Sequence, residues 1–144
     1  MTLEILAPGA ILILWSVVML GWLAATRLPA MSKIGMDLKN AAPGGRGADI
    51  DPNVPPLVAW KSHNYAHLME QPTIFYPAII ILALTGAGTG LNLYLAWGYV
   101  VFRIIHSLYQ ALVNKVSVRF VIFLLSTICL AGLAINAVRA TLSL

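Results

Sequence analysis

The chain has 144 residues, of which 60% are hydrophobic and only 10% charged, with a formal net charge of +4 and a mean hydropathy of +0.85. A water-soluble domain of this size cannot hide so much apolar surface in one core, so lipid is the expected solvent for most of it. At roughly 20 apolar residues per helical crossing the length allows about four crossings in one domain, and the dispersed basic residues argue for membrane orientation and against a nucleic-acid partner.

The first apolar segment, about residues 3–28, lacks the positive leader and small-residue cleavage pattern of a secretory signal and is read as a retained membrane helix. Residues 29–56 then change character. Pro43, Gly44, Gly45 and Gly47 precede Pro52, Pro55 and Pro56, with Lys33, Lys39 and Arg46 among Asp37, Asp49 and Asp51, which predicts a solvent-exposed loop. A second helix over 57–84 opens with Lys61, His63, Asn64, His67 and Glu70 and becomes purely apolar from Ile74 to Leu84, with Pro72 and Pro77 predicted to kink it. The uncharged turn Thr-Gly-Ala-Gly-Thr-Gly at 85–90 returns the chain as a third helix over 91–113, antiparallel to the second. A break at 114–117 leads to a fourth helix over 118–142, apolar apart from Arg119, Asn136 and Arg139. The fold class expected is an all-α integral membrane bundle of four transmembrane helices. Cys129, the single cysteine, lies in an apolar run and reads as a buried inert thiol.

Arg27, Lys33, Lys39, Arg46 and Lys61 flank the first loop, and Lys115 and Arg119 flank the third, against only Arg139 on the opposite side. Basic residues mark cytoplasmic loops, so loops 29–56 and 114–117 are expected in the cytoplasm and both termini outside it, in the periplasm for a bacterial inner membrane.

Ionisable side chains within a span usually face the bundle interior with a partner. In the second helix His63, His67 and Glu70 are spaced four and three apart and share a face, and in the third Arg103, His106, Ser107, Gln110 and Asn114 do the same. Glu70 and Arg103 lie at similar depths, roughly 16–20 Å from the cytoplasmic ends of their helices, so a pair between them is geometrically feasible. Two readings stand: the pair only neutralises two buried charges, or it holds a polar ligand. His67, His106, Ser107, Gln110 and Arg119 exceed what one carboxylate can satisfy, and such an excess of donors suits an anionic guest. A metal site from His63, His67, Glu70 and His106 is disfavoured and none is expected, because Glu70 is the one inward carboxylate and Arg103 would repel a cation. Tyr109, beside Gln110, offers either a phenol for a ligand or a packing ring. Ala131, Gly132 and Ala134 are expected to let the fourth helix approach a neighbour closely.

At these residues the sequence resembles the MAPEG family of membrane-associated proteins in eicosanoid and glutathione metabolism, especially its bacterial branch. The resemblance is carried by Asn64-Tyr-Ala-His-Leu-Met-Glu-Gln-Pro-Thr-Ile-Phe-Tyr-Pro77, by Arg103-Ile-Ile-His-Ser-Leu-Tyr109 and by Asn114-Lys-Val-Ser-Val-Arg-Phe120. It implies a homotrimer of four-helix subunits whose cytoplasmic-side interfaces bind glutathione. It further implies that Glu70 and Arg103 help bind the tripeptide and that Arg119 is the catalytic residue that activates the thiol; Asn64, His67, His106, Tyr109 and Gln110, read from their place on or beside the polar stripes, are further binding candidates. A cation beside a thiol favours the thiolate, the nucleophile for conjugation or peroxide reduction. Read from the residues alone, Arg119 at a helix start serves equally to meet lipid phosphate. The chain departs from the eicosanoid enzymes of the family by placing His63 and His67 where those have arginine and asparagine, and Gln110 where they have tyrosine. The expected activity is a glutathione-dependent transferase or peroxidase acting on hydrophobic electrophiles from the bilayer. The alternative is a non-catalytic protein of the same fold that binds lipid or serves as an accessory subunit of a larger membrane complex.

Overall fold

The structure, a computed structural model, describes residues 1–36, 39, 41 and 43–143; Asp37, one of the acidic residues assigned to the loop, lies outside them. After a 3-10 turn at Leu3–Ile5, helix α1 spans Leu6–Lys33 and runs straight through Pro29, five residues past the expected end. Proline at this position removes one hydrogen bond from the last turns, while Ala30 beyond it packs with Val54 and Ala59, so burial carries the helix on. The chain leaves α1 at Gly35, whose φ of +73° and the bond from the Met36 N–H to the Met31 carbonyl at 3.0 Å make a glycine-capped end.

The second expected helix is divided into α2, Pro56–Glu70, and α3, Pro72–Leu84. Gln71 between them keeps helical angles (φ −60°, ψ −38°), so the direction of the chain is preserved. Pro72 has no N–H to give the Leu68 carbonyl, and that missing bond is the reason for the break. Pro77 stays inside α3. Helix α4 covers Leu91–Leu112 and α5 covers Val116–Leu142. The turn from α3 to α4 uses Gly86 and Gly90 at positive φ, and Gly88 meets the N-terminus: its N–H donates to Thr2 Oγ1 at 2.7 Å.

Three helical segments among the described residues are long and apolar enough to cross a membrane: Leu3–Lys33, Pro56–Leu84 and Val116–Leu142. Helix α4 is 22 residues long but carries the polar stripe. It is also the helix at the centre, packed against α1, α2 and α5, with α3 lying on α5. The apolar core runs through Leu12, Met19, Leu68, Phe75, Leu82, Val100 and Leu133, and Phe75 stacks on Tyr99 with centroids 4.3 Å apart. Close α4 to α5 packing depends on two glycines, since a Cβ on Gly132 would come within 2.9 Å of Leu95 and one on Gly98 within 3.3 Å of Cys129 Sγ. Asn136 Nδ2 donates to Asn92 Oδ1 across the same interface at 2.7 Å. Only 17% of the most apolar stretch of α5 is buried by the rest of the chain, so this helix presents most of its surface to lipid or to another protein chain.

Candidate functional site

The polar stripe of α4 points inward. Arg103, His106, Ser107 and Gln110 are all at most 2% exposed, continuing the buried face of Ala96, Tyr99 and Val100 at three- and four-residue spacing. Helix α1 reaches into this layer as well, with Trp15 Nε1 donating to Ser107 Oγ at 3.0 Å.

Helix α2 turns a different face inward than the one expected. Its buried polar residues are Lys61 and Asn64, on a stripe with Leu68, whereas His63 is exposed, His67 half-buried and Glu70 exposed. His63 Nε2 lies 3.0 Å from Asp51 Oδ2, and Asp51 is held in turn by Arg27 at 2.9 Å. The Glu70 to Arg103 pair does not form. Glu70, 64% exposed, approaches His67 Nδ1 instead at 3.4 Å, and Arg103 Nη2 donates to the backbone carbonyl of His67 at 2.6 Å. The cause is helical phase: with Asn64 and Leu68 facing α4, a residue two positions after Leu68 falls on the far side of the helix.

His67 and His106 do come together, with ring centroids 5.7 Å apart. They line a cleft of about 220 Å³ completed by Val116, Arg119, Phe120 and Phe123. Arg103 does not line the cleft itself; its guanidinium is buried next to the Phe123 side chain that does, with Cζ 5.8 Å from the ring centroid, and its Nε and Nη1 have no hydrogen-bond partner. The Asn64 Oδ1 and Gln110 Oε1 atoms are buried and unpartnered too. Arg119 Nη1 donates to Asn114 Oδ1 at 2.6 Å. Tyr109 is half-buried and does not line the cleft. Among the described residues no group of three His, Cys, Asp or Glu side chains is placed to hold a metal ion. The arrangement offers cationic and imidazole groups over an aromatic and aliphatic wall, which suits an anionic guest meeting an apolar one.

Several contributors were invisible in the sequence reading. Lys61, there counted as a loop-flanking charge, is buried: Nζ donates to Leu57 O at 2.6 Å and to Ala111 O at 3.3 Å, and sits 4.8 Å from the Trp22 ring centroid. Its ammonium thus meets the carbonyl end of α4, where a cation is favoured. The three-residue spacing from Lys61 to Asn64, with Leu68 four further on, is the signal that could have revealed it. Gln71, which donates to Thr127 Oγ1 at 2.9 Å, and Phe123 carry no comparable pattern.

No curated protein and no solved structure matches the chain. The model of the MAPEG family matches residues 5–139, a range that takes in every residue of the site. The match covers nearly the whole chain, and the protein is therefore a member of the MAPEG family.

Proposed function

We propose that the protein is a membrane-bound glutathione-dependent transferase or peroxidase acting on hydrophobic electrophiles, working as a homotrimer of four-span subunits in a bacterial inner membrane with loops 29–56 and 114–117 cytoplasmic. The observation that carries this reading is the buried Arg103, whose Nε and Nη1 lack partners beside a cleft whose polar lining is Arg119, His67 and His106, with no carboxylate. A buried donor left without an acceptor is costly, and an anionic ligand would satisfy it. The residues present thus fit a peptide bearing carboxylates and a thiol. Glutathione, when bound, would supply the thiol whose ionised form is the nucleophile. Arg119 at the cleft wall favours that ionised form, Arg103 and His106 hold the anionic groups, and Phe120, Phe123 and Val116 give an apolar approach from the bilayer side.

Membership of the family supports glutathione as the guest, and exposed Glu70 supports the trimer. A carboxylate 64% exposed within a segment apolar enough to cross a membrane cannot be left facing hydrocarbon, so a second copy is the natural cover for it. Helix α4, roughly 33 Å long at 1.5 Å per residue, is long enough to be the fourth span.

The test is glutathione binding to detergent-purified protein by calorimetry, read together with thiolate absorbance and turnover of a hydrophobic electrophile. Wild type should bind with a thiolate signal, and Arg119→Ala should keep the trimer and lose turnover by at least about a hundredfold. Unchanged activity in Arg119→Ala removes the mechanism. A second reading, a non-catalytic lipid-binding or accessory subunit, is favoured by histidines at 63 and 67, where the eicosanoid enzymes of the family have arginine and asparagine. Absence of binding at millimolar glutathione, with stable co-purifying membrane partners, would move the assignment to it.

A further inference from the structure

Asn114 closes α4 with a φ of +55°, the one positive φ at a non-glycine residue among the described residues. This left-handed conformation is uncommon outside glycine, and asparagine is among the residues that tolerate it best. Two jobs meet in the residue. Its backbone N–H donates to the Tyr109 carbonyl at 2.8 Å, ending the helix, and its side-chain Oδ1 accepts from Arg119 Nη1 at 2.6 Å. A guanidinium can only donate, so the amide atom facing it has to be the oxygen, which fixes the orientation of the amide.

The choice of acceptor is what carries the argument. A carboxylate would hold Arg119 at least as firmly, yet would cancel the positive field that a bound thiol is meant to feel. Among the described residues Arg119 has no ion-pair partner. The neighbours that share its cleft are the imidazoles of His67 and His106 and the side chains of Val116, Phe120 and Phe123. Among the described residues no other side-chain hydrogen bond fixes where this long, rotamer-rich arginine side chain points.

Resting on the reading of Arg119 given above, we propose that Asn114 is a positioning residue: a neutral tether that aims the Arg119 guanidinium at the cleft while leaving its charge unspent. The effect is on ionisation, with the thiol proton passing to water and the negative sulfur left beside a fixed cation. Orientation comes from the amide oxygen, and the field comes from the arginine.

Asn114→Gly and Asn114→Asp separate the two contributions. Glycine keeps the left-handed backbone and the end of α4 while deleting the acceptor; aspartate keeps the acceptor and adds a negative charge. The experiment titrates the thiolate absorbance of glutathione bound to the purified full-length protein, and measures kcat and KM with a soluble aromatic electrophile across pH. In both variants ionisation should move to higher pH by about one pH unit and kcat at neutral pH should fall about tenfold, with recovery at alkaline pH. KM for glutathione should change less than kcat, and the unfolding temperature of Asn114→Gly should stay at that of wild type. A glycine variant with wild-type ionisation and kcat, in a protein where Arg119→Ala is inactive, overturns the tether and leaves the reading of Arg119 standing. Loss of thermal stability without any movement of the ionisation overturns it as well, because that is a helix cap and nothing more. Wild-type protein that shows no thiolate band with millimolar glutathione overturns both.

Discussion

Replacing Arg103 by methionine should stabilise the protein and abolish its binding of glutathione. Arg103 is 1% exposed and makes one hydrogen bond, from Nη2 to the His67 carbonyl, while Nε and Nη1 make none. The bond that is made is worth about 1.5–3 kcal/mol, and each unpartnered donor costs about 1–3 kcal/mol. Methionine is shorter but unbranched and flexible enough to fill most of the space, and it leaves no donor unsatisfied. At the middle of these ranges the balance favours Arg103→Met by about 2 kcal/mol. The assay is reversible unfolding in mixed micelles, with and without glutathione. Ligand at a hundred times its dissociation constant should raise the stability of wild type by about 2.7 kcal/mol and leave Arg103→Met unmoved. A methionine variant less stable than wild type by 1 kcal/mol or more in the absence of glutathione, by the reasoning that one bond cannot outweigh two orphaned donors, would make Arg103 a structural residue with no ligand to explain.

Two further predictions concern the frame around the site. Gly132→Val should loosen the α4 to α5 contact by about 1–3 kcal/mol, because even its Cβ would sit 2.9 Å from Leu95; Ala131→Val, on the exposed side of the same turn, should be near neutral, and equal effects of the two in micelle unfolding would contradict the packing described. Asp51→Asn should free the loop, since Asp51 joins Arg27 and His63. Loss of that partly buried pair, about 1 kcal/mol, should speed trypsin cleavage after Arg46 about fivefold, and an unchanged cleavage rate would show that the 3-10 turn at Gly47–Asn53 is held by other contacts.

The helical class and the inward stripe of α4 were legible in the sequence for the same reason. Outside Arg103, His106, Ser107 and Gln110, the second half of α4 is almost all apolar, so only one face could be the polar interior. Helix α2 was not legible in this way, because it carries two polar stripes, Lys61 with Asn64 and His63 with His67 and Glu70, and the sequence does not say which turns inward. The structure buries the stripe that continues into Leu68 and Phe75, so hydrophobic continuity across the Pro72 break decided the rotation that polar spacing left open. Helix α1 passes its expected end at residue 28 on similar grounds, since burial of Ala30 outweighs the backbone bond lost at Pro29. The tie from Trp15 to Ser107 spans 92 residues, and no local pattern announces such a contact.

The least apolar of the long helices is the one at the centre, and this follows from the chemistry it carries. A helix with Arg103, His106, Ser107 and Gln110 on one face would meet lipid at prohibitive cost if it stood alone. The other elements shield it: α1 supplies Trp15 as a donor to Ser107, α2 supplies the His67 carbonyl to Arg103 and the Lys61 ammonium as a donor to the Ala111 carbonyl, and α5 covers it with Phe123. The shielding is incomplete: Arg103 Nε and Nη1 as donors, and Asn64 Oδ1 and Gln110 Oε1 as acceptors, are buried without partners, while the cleft between His67, His106 and Arg119 stays open. The fold therefore leaves part of the polar face of α4 unsatisfied, and a guest that carries both acceptors and donors, as a peptide does, would complete it.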